Sequence, residues 1–117
     1  MARKSVVGSD CVAAADRYLS ACFAAGTPPH VNELARDVDL SPRSLGRIFL
    51  AEAGVGVATY FKTARIRYAQ DLLASTDLSL SAIADAAGFG TRATFFRAFK
   101  RATGVTPAAY RTGSNGR

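Results

Sequence analysis

An internal repeat is the feature of this sequence that most constrains its fold. Leu34-Ala35 matches Ile83-Ala84 at an offset of 49 positions, and one inserted residue then makes the offset 50. The pairs at the second offset are Leu45 and Phe95, Arg47 and Arg97, Phe49 and Phe99, Gly54 and Gly104, Val55 and Val105, Ala58 and Ala108, and Tyr60 and Tyr110. Because aromatic, glycine and arginine identities recur at one spacing, the sequence predicts that a single small structural unit occurs twice.

Each copy of the repeat has the pattern of a short helix, a tight turn and a longer helix. In the first copy, Ser41-Pro42 marks the start of the longer helix, since the serine hydroxyl can accept a hydrogen bond from a free backbone N–H and proline lacks that donor. Gly54 and Gly56 mark its end. This order of elements is that of a helix-turn-helix, whose second helix can enter the major groove of DNA.

The predicted fold is all-α, because no stretch alternates apolar and polar residues as a half-buried strand does. We expect about seven helices in two helix-turn-helix subdomains, with homeodomain-like halves joined by a long linker helix. The predicted division is 9–56 for the first subdomain, 57–75 for the linker helix and 76–112 for the second subdomain. Residues 1–8 and 113–117 are predicted to be disordered tails, because neither segment can bury apolar surface.

The linker helix predicts the distance between the two copies. About eighteen residues at about 1.5 Å each give roughly 27 Å, comparable with the roughly 34 Å between successive major grooves on one face of DNA. A monomer is therefore expected to contact two adjacent major-groove segments, and a stiff linker can bend the duplex between them.

The charge of the chain favours a polyanionic partner. Fifteen Lys and Arg against nine Asp and Glu give a net charge of +6, and such a balance is typical of proteins that bind nucleic acid or acidic lipid. The basic residues concentrate on the longer helices of the repeat, which carry Arg43, Arg47, Arg92, Arg97, Lys100 and Arg101. The acids gather around the shorter helices, at Glu33, Asp37, Asp39, Asp77 and Asp85. This asymmetry predicts a basic side, with double-stranded DNA as the expected partner and no membrane.

The sequence holds no constellation that indicates an enzyme or a cofactor. Cys11, Cys22 and the single His30 cannot supply the four protein ligands of a structural zinc site. Acidic side chains such as Asp71 and Asp85 lack the paired carboxylate, nucleophile or second histidine that general acid–base catalysis requires. No apolar run approaches the roughly 20 residues of a bilayer-spanning helix, and the two cysteines are too far apart along one helix for a disulfide. We therefore expect a cytoplasmic protein without enzymatic activity, cofactor or metal.

Beyond the repeat itself, the second copy carries the motifs of a known family. They comprise Ile83-Ala84, Gly88-Phe89-Gly90, the run Phe95 to Lys100, the run Gly104 to Pro107, and Tyr110-Arg111. With the linker segment from Arg65 to Leu73, they make the chain resemble the DNA-binding domain of the AraC/XylS family of bacterial transcription regulators over about residues 10 to 112. The resemblance implies an activator of transcription, with RNA polymerase as a candidate second partner besides DNA.

The resemblance also implies that the third and sixth helices face DNA. The base-reading positions are then Arg43, Gly46, Arg47, Arg92, Ala93, Thr94 and Arg97. The residues expected at DNA phosphates are Arg36, Ser41, Ser44, Thr91, Lys100 and Arg101. Arginine suits base reading through its own chemistry, because its planar fork can donate two hydrogen bonds to guanine O6 and N7, which is worth roughly 1–3 kcal/mol of discrimination.

Two positions depart from the family pattern. Gly46 stands where the family often has a small polar residue, and it offers no side chain to a base, so the first copy is expected to read sequence weakly. Phe96 stands where a serine or similar group commonly meets phosphate. Either that phosphate contact is lost or the ring touches a thymine methyl group, and the sequence leaves both alternatives open.

Two functions of different classes fit these observations. The first is a sequence-specific DNA-binding transcription regulator that inserts two recognition helices into adjacent major-groove segments. The alternative is a helical protein-docking module that contacts RNA polymerase or another partner with little intrinsic DNA specificity. Because no sequence remains for a separate effector-binding or dimerisation domain, a small complete regulator and an excised domain are equally expected. We expect a monomer unless such a further domain dimerises it.

Overall fold

The computed structural model describes residues 9–115, and this part of the chain contains seven α-helices and no strand. The helices are α1 (Ser9–Ala25), α2 (Val31–Asp37), α3 (Pro42–Ala53), α4 (Val57–Ser75), α5 (Leu80–Ala86), α6 (Arg92–Thr103) and α7 (Pro107–Asn115). The predicted all-α fold with about seven helices is therefore confirmed.

The two predicted tails have different outcomes. Residues 1–8 lie outside the described residues. The prediction for 113–117 is wrong at its start, because α7 continues through Asn115. The guanidinium group of Arg111 donates hydrogen bonds of 3.2 and 3.1 Å to two backbone carbonyls at the C-terminal end of α4. These bonds hold α7 against α4, and the polar composition of its last residues does not reveal them.

The two copies of the repeat fold alike. α2 and α5 have 7 residues each, and α3 and α6 have 12 each. Ser41 and Thr91 cap the two longer helices in the same way, since each side-chain oxygen accepts a hydrogen bond from the backbone N–H three residues later, at 3.0 and 3.1 Å. Gly54 and Gly104 end these helices with φ of 80° and 85°, a left-handed conformation that glycine adopts without steric strain.

Each copy packs around its own aromatic core. Phe49 in the first core and Phe99 in the second are completely buried. The ring of Phe49 meets that of Tyr60 with 5.1 Å between the centroids and an angle of 70° between the ring planes. Phe99 meets Tyr110 in the same way, at 5.5 Å and 72°. Such edge-to-face pairs are a favourable aromatic geometry, and their repetition places the matched aromatic residues in the interior.

The long helix α4 belongs to both cores. Val57 and Phe61 pack in the first core, while Ile66, Ala69 and Leu73 pack in the second. At 3.6 residues per turn, the mean directions of these two sets differ by about 130° around the helix axis. The segment predicted as a linker is thus a shared wall of the two cores, and its phase fixes how one copy is rotated relative to the other.

A second connection between the copies lies beside α4. The loop between α1 and α2 brings Pro29, which is buried, against Gly88 in the turn before α6. Arg65 of α4 donates a hydrogen bond of 3.4 Å to the Pro29 carbonyl, and its guanidinium carbon lies 6.0 Å from the centroid of the Phe89 ring. The Tyr18 hydroxyl also holds this loop, because it accepts a hydrogen bond of 2.8 Å from the backbone N–H of His30. We call this contact of Pro29, Arg65, Gly88 and Phe89 the joint.

Candidate nucleic-acid interface

The helices α3 and α6 each bury one face and expose the other. Leu45 and Phe49 of α3 are completely buried, as are Phe95 and Phe99 of α6. Residues spaced by four positions lie on one face of a helix, so these pairs fix which face is turned inward. The four predicted base-reading arginines are all exposed. Arg43, Arg47 and Arg97 lie on the opposite faces, and Arg92 is the first residue of α6.

In the first copy, the other predicted contact residues lie around the start of α3. Gly46 is half-buried, and a Cβ built on it would meet no atom within 4 Å, so packing does not require glycine here. The Ser41 hydroxyl caps α3 through the backbone N–H of Ser44. Arg36 and Ser41 line one surface depression of about 530 Å³, which they share with the acidic Asp39.

In the second copy, the outer face of α6 forms a shallow depression. Arg92, Ala93, Phe96 and Arg97 line this space of about 570 Å³. Three of the four are predicted base-reading residues. The remaining lining residue, Phe96, is one whose role the sequence leaves open.

A groove between α4 and α6 adds cationic groups beside this depression. Thr94, Arg97 and Arg101 line it from α6, and Lys62 lines it from α4. Thr94 is held by Thr91, whose hydroxyl donates a bond of 2.9 Å to the Thr94 hydroxyl. The sequence leaves open whether Lys62 faces solvent or attracts DNA phosphates, because its position beside the α6 arginines depends on how the two helices pack. The repeat alone gives no signal for it.

The two exposed faces differ in charge. Arg92, Arg97, Lys100 and Arg101 give α6 four basic residues and no acid, whereas α3 has Arg43, Arg47 and the acid Glu52. The position on α3 that matches Lys100 is Leu50, whose side chain is 53% exposed. The second copy therefore presents the stronger positive field.

Groups with shifted pKa values lie away from these faces. A hydrogen bond of 2.6 Å to Asp16, together with burial, raises the pKa of Tyr60 to about 12. Burial raises the pKa of the Cys11 thiol and lowers that of the Arg65 guanidinium in the joint. The positive charge of α3 and α6 comes instead from exposed arginine and lysine side chains.

The described residues hold no metal cluster and no membrane span. Within residues 9–115, no three His, Cys, Asp or Glu side chains are grouped so that they could hold a metal ion. Over the same part of the chain, no helix has the length and apolar character needed to cross a bilayer. Cys11 and Cys22 are both buried and unbridged.

Comparison with known proteins connects this architecture to a family. Residues 34–113 match the family described as a helix-turn-helix domain. The HTH-type transcriptional regulator GlxA of Rhizobium meliloti is 40% identical over 78 residues, which are 67% of this chain and 24% of that protein. The chain spans between 10% and 34% of the lengths of three such curated relatives.

Two solved structures resemble the whole arrangement. The DNA-binding domain of AdpA, in complex with a target DNA, gives a TM-score of 0.78 at 27% identity and covers 88% of this chain and 94% of its own. A transcriptional regulator from Chromobacterium violaceum, described by its AraC-type DNA-binding domain, gives 0.79 at 25% identity over 89% and 91%. Matches of that extent include both copies of the repeat. This chain belongs to the AraC-type family of helix-turn-helix domains.

Proposed function

We propose that the chain is the DNA-binding part of a transcription regulator, and that it places α3 and α6 in adjacent major-groove segments of one duplex. One observation carries the proposal: two equivalent helices on one scaffold each turn a pair of arginines, Arg43 with Arg47 and Arg92 with Arg97, into solvent. The likeness to the AdpA domain supports it further, because that domain was solved on its target DNA and the match covers both copies.

The proposed roles follow from side-chain chemistry. The four arginines read base edges, preferably guanine, through paired hydrogen bonds. The residues proposed to position the protein on phosphates are Arg36, Ser41, Ser44, Thr91, Lys100 and Arg101, joined by Lys62. Because α6 and the groove beside it carry five of the eight basic side chains proposed to contact DNA, the second copy supplies most of the phosphate attraction.

The proposed function also implies where the protein acts and what it requires. A regulator of this kind acts on the bacterial chromosome in the cytoplasm and needs no catalytic step, because its effect is binding. One chain suffices for two groove contacts, since both recognition helices are on one scaffold. RNA polymerase is the proposed second partner of the bound regulator.

The proposal is tested by a titration and a selection with the full chain. Fluorescence anisotropy with a labelled random duplex at low salt should give saturable binding whose affinity falls steeply as salt rises. Selection from a random duplex pool should then yield two groups of preferred bases about one helical turn apart. Absence of saturable binding at low salt would favour the protein-docking alternative. A single group of preferred bases would contradict the proposed contact with two major-groove segments.

A further inference from the structure

Phe96 is the aromatic residue of α6 that the interior does not use. Its neighbours Phe95 and Phe99 are completely buried in the second core. Phe96 is half-buried, and it is not among the apolar side chains that pack against that core. Within residues 9–115, its ring takes part in none of the aromatic pairs. The fold therefore does not account for an aromatic side chain here.

The surroundings of Phe96 place it among the proposed base-reading groups. It lines the outer depression of α6 with Arg92, Ala93 and Arg97. Arg92 and Phe96 are four positions apart, as are Ala93 and Arg97, so the two pairs form neighbouring rows on the helix, which together we call the stripe. This stripe alternates guanidinium groups with an exposed methyl group and a phenyl ring.

A phenyl ring in this stripe limits what the facing base edge can be. The ring can neither donate to a phosphate or base acceptor nor accept from a base amino group, so covering those groups would strip them of water without replacing their hydrogen bonds. The major groove presents one apolar group, the C5-methyl group of thymine. That methyl group is the base feature that the ring can cover at least cost.

We propose that Phe96, with Ala93 beside it, contacts the C5-methyl group of a thymine next to the base that Arg97 reads. The proposal rests on the proposed function. The matching position on α3 is Gly46, which has no side chain to make such a contact. Recognition of the methyl group is therefore confined to the half of the DNA site that α6 occupies.

A double-mutant cycle tests this contact. The full chain and its Phe96→Ser variant are titrated against the selected duplex and against duplexes in which one thymine at a time is replaced by deoxyuridine, which lacks only the methyl group. For the unmodified chain, at least one thymine in the α6 half-site should lose about fourfold in affinity on replacement, the factor expected for burying one methyl group. The Phe96→Ser variant should lose most of the difference in affinity between the thymine and deoxyuridine duplexes, with only the share due to Ala93 remaining.

Controls separate this contact from folding and from the general mode of binding. Circular dichroism checks that Phe96→Ser keeps its helices, and Phe96→Leu, which retains an apolar side chain, should keep part of the thymine preference. Arg17→Ala changes an exposed residue of α1, outside the two helix-turn-helix copies, and should leave the deoxyuridine effect intact.

Three results would overturn the proposal. If the unmodified chain selects a sequence but no deoxyuridine weakens it, the methyl contact is absent while the proposed function stands. If Phe96→Ser keeps the full deoxyuridine effect, another side chain touches the methyl group. If the unmodified chain selects no sequence at all, the proposed function fails, and the methyl contact fails with it.

Discussion

Gly88 and Pro29 meet so closely that a side chain on Gly88 would not fit without movement. A Cβ on Gly88 would lie 3.2 Å from Pro29 Cδ and 3.3 Å from the Cα of Pro28. One residue belongs to the turn before α6 and the other to the loop before α2, so the contact joins the two helix-turn-helix copies outside α4. The two proposed recognition helices are therefore held at two places.

Gly88→Ala should destabilise the protein more than Gly90→Ala. Both glycines have positive φ, 82° and 83°, but a Cβ at Gly90 would meet nothing within 4 Å. We expect Gly90→Ala to cost about 1–2 kcal/mol from backbone strain alone, and Gly88→Ala to cost more because the proline loop must also shift. Urea unfolding measures both. Equal losses of unfolding free energy in the two variants would mean that the proline loop moves aside at no energetic cost.

Gly46→Ala should stabilise the protein by about 1 kcal/mol. Gly46 lies inside α3, does not have a positive φ, and has open space where a Cβ would be. Alanine is better than glycine in a helix interior by about that amount. Thermal unfolding should shift upward by several degrees. A lower melting temperature would indicate a packing requirement that the structure does not contain.

Arg97→Ala and Lys100→Ala should weaken DNA binding in different ways. Loss of a base-reading arginine should cost about 1–3 kcal/mol on the selected duplex and relax the preference at one base pair. Loss of a phosphate-facing lysine should weaken binding to all sequences alike. It should also reduce the slope of log affinity against log salt concentration by about one.

Anisotropy titrations on selected and scrambled duplexes distinguish these two patterns. Arg17→Ala is the matched control, because it removes one exposed positive charge from α1, outside the helix-turn-helix copies. Unchanged affinities for Arg97→Ala on both duplexes would show that its proposed role is wrong.

Tyr60 should make stability depend on alkaline pH. Its pKa is raised from 10.0 to about 12, so its protonated form contributes stability below pH 10 that is lost as the pH rises toward 12. Tyr60→Phe should reduce this dependence, while the part due to Tyr18, whose pKa is also raised by burial, remains. The substitution should cost less than about 1 kcal/mol at neutral pH, because the Tyr60–Asp16 pair is partly exposed. Tyr110→Phe is the matched control, since no hydrogen bond of the Tyr110 hydroxyl is found within the described residues. The same alkaline loss in both variants would contradict the assignment to Tyr60.

Local signals account for the parts of the fold that the sequence predicted. Ser41 accepts the expected capping bond at 3.0 Å, because a cap needs only residues three positions apart. The matched pairs of the repeat also agree in their burial, since Leu45 and Phe95 are both buried, as are Phe49 and Phe99. Each copy must bury the same positions to form its core, so Phe49 and Phe99 behave alike.

The parts that the sequence missed depend on contacts between distant segments. The joint forms because the loop at Pro29 and the turn at Gly88 meet in space, although no local pattern connects them. The sequence leaves the role of Lys62 open between solvent and phosphate, because Lys62 reaches the α6 groove only through the packing of α4 against α6. Which side chain contacts which base stays a prediction, because it depends on a partner that the chain alone does not contain.

The shared helix α4 also limits how this domain can change during evolution. Inserting one residue between Phe61 and Ile66 would turn one recognition helix by about 100° relative to the other and pull one of the two cores out of register. Substitutions on the outer faces of α3 and α6 carry no such penalty, because those side chains touch neither core. Under the proposed function, descendants of this domain can thus acquire new target sequences readily, while the phasing between the two proposed half-sites is inherited almost unchanged.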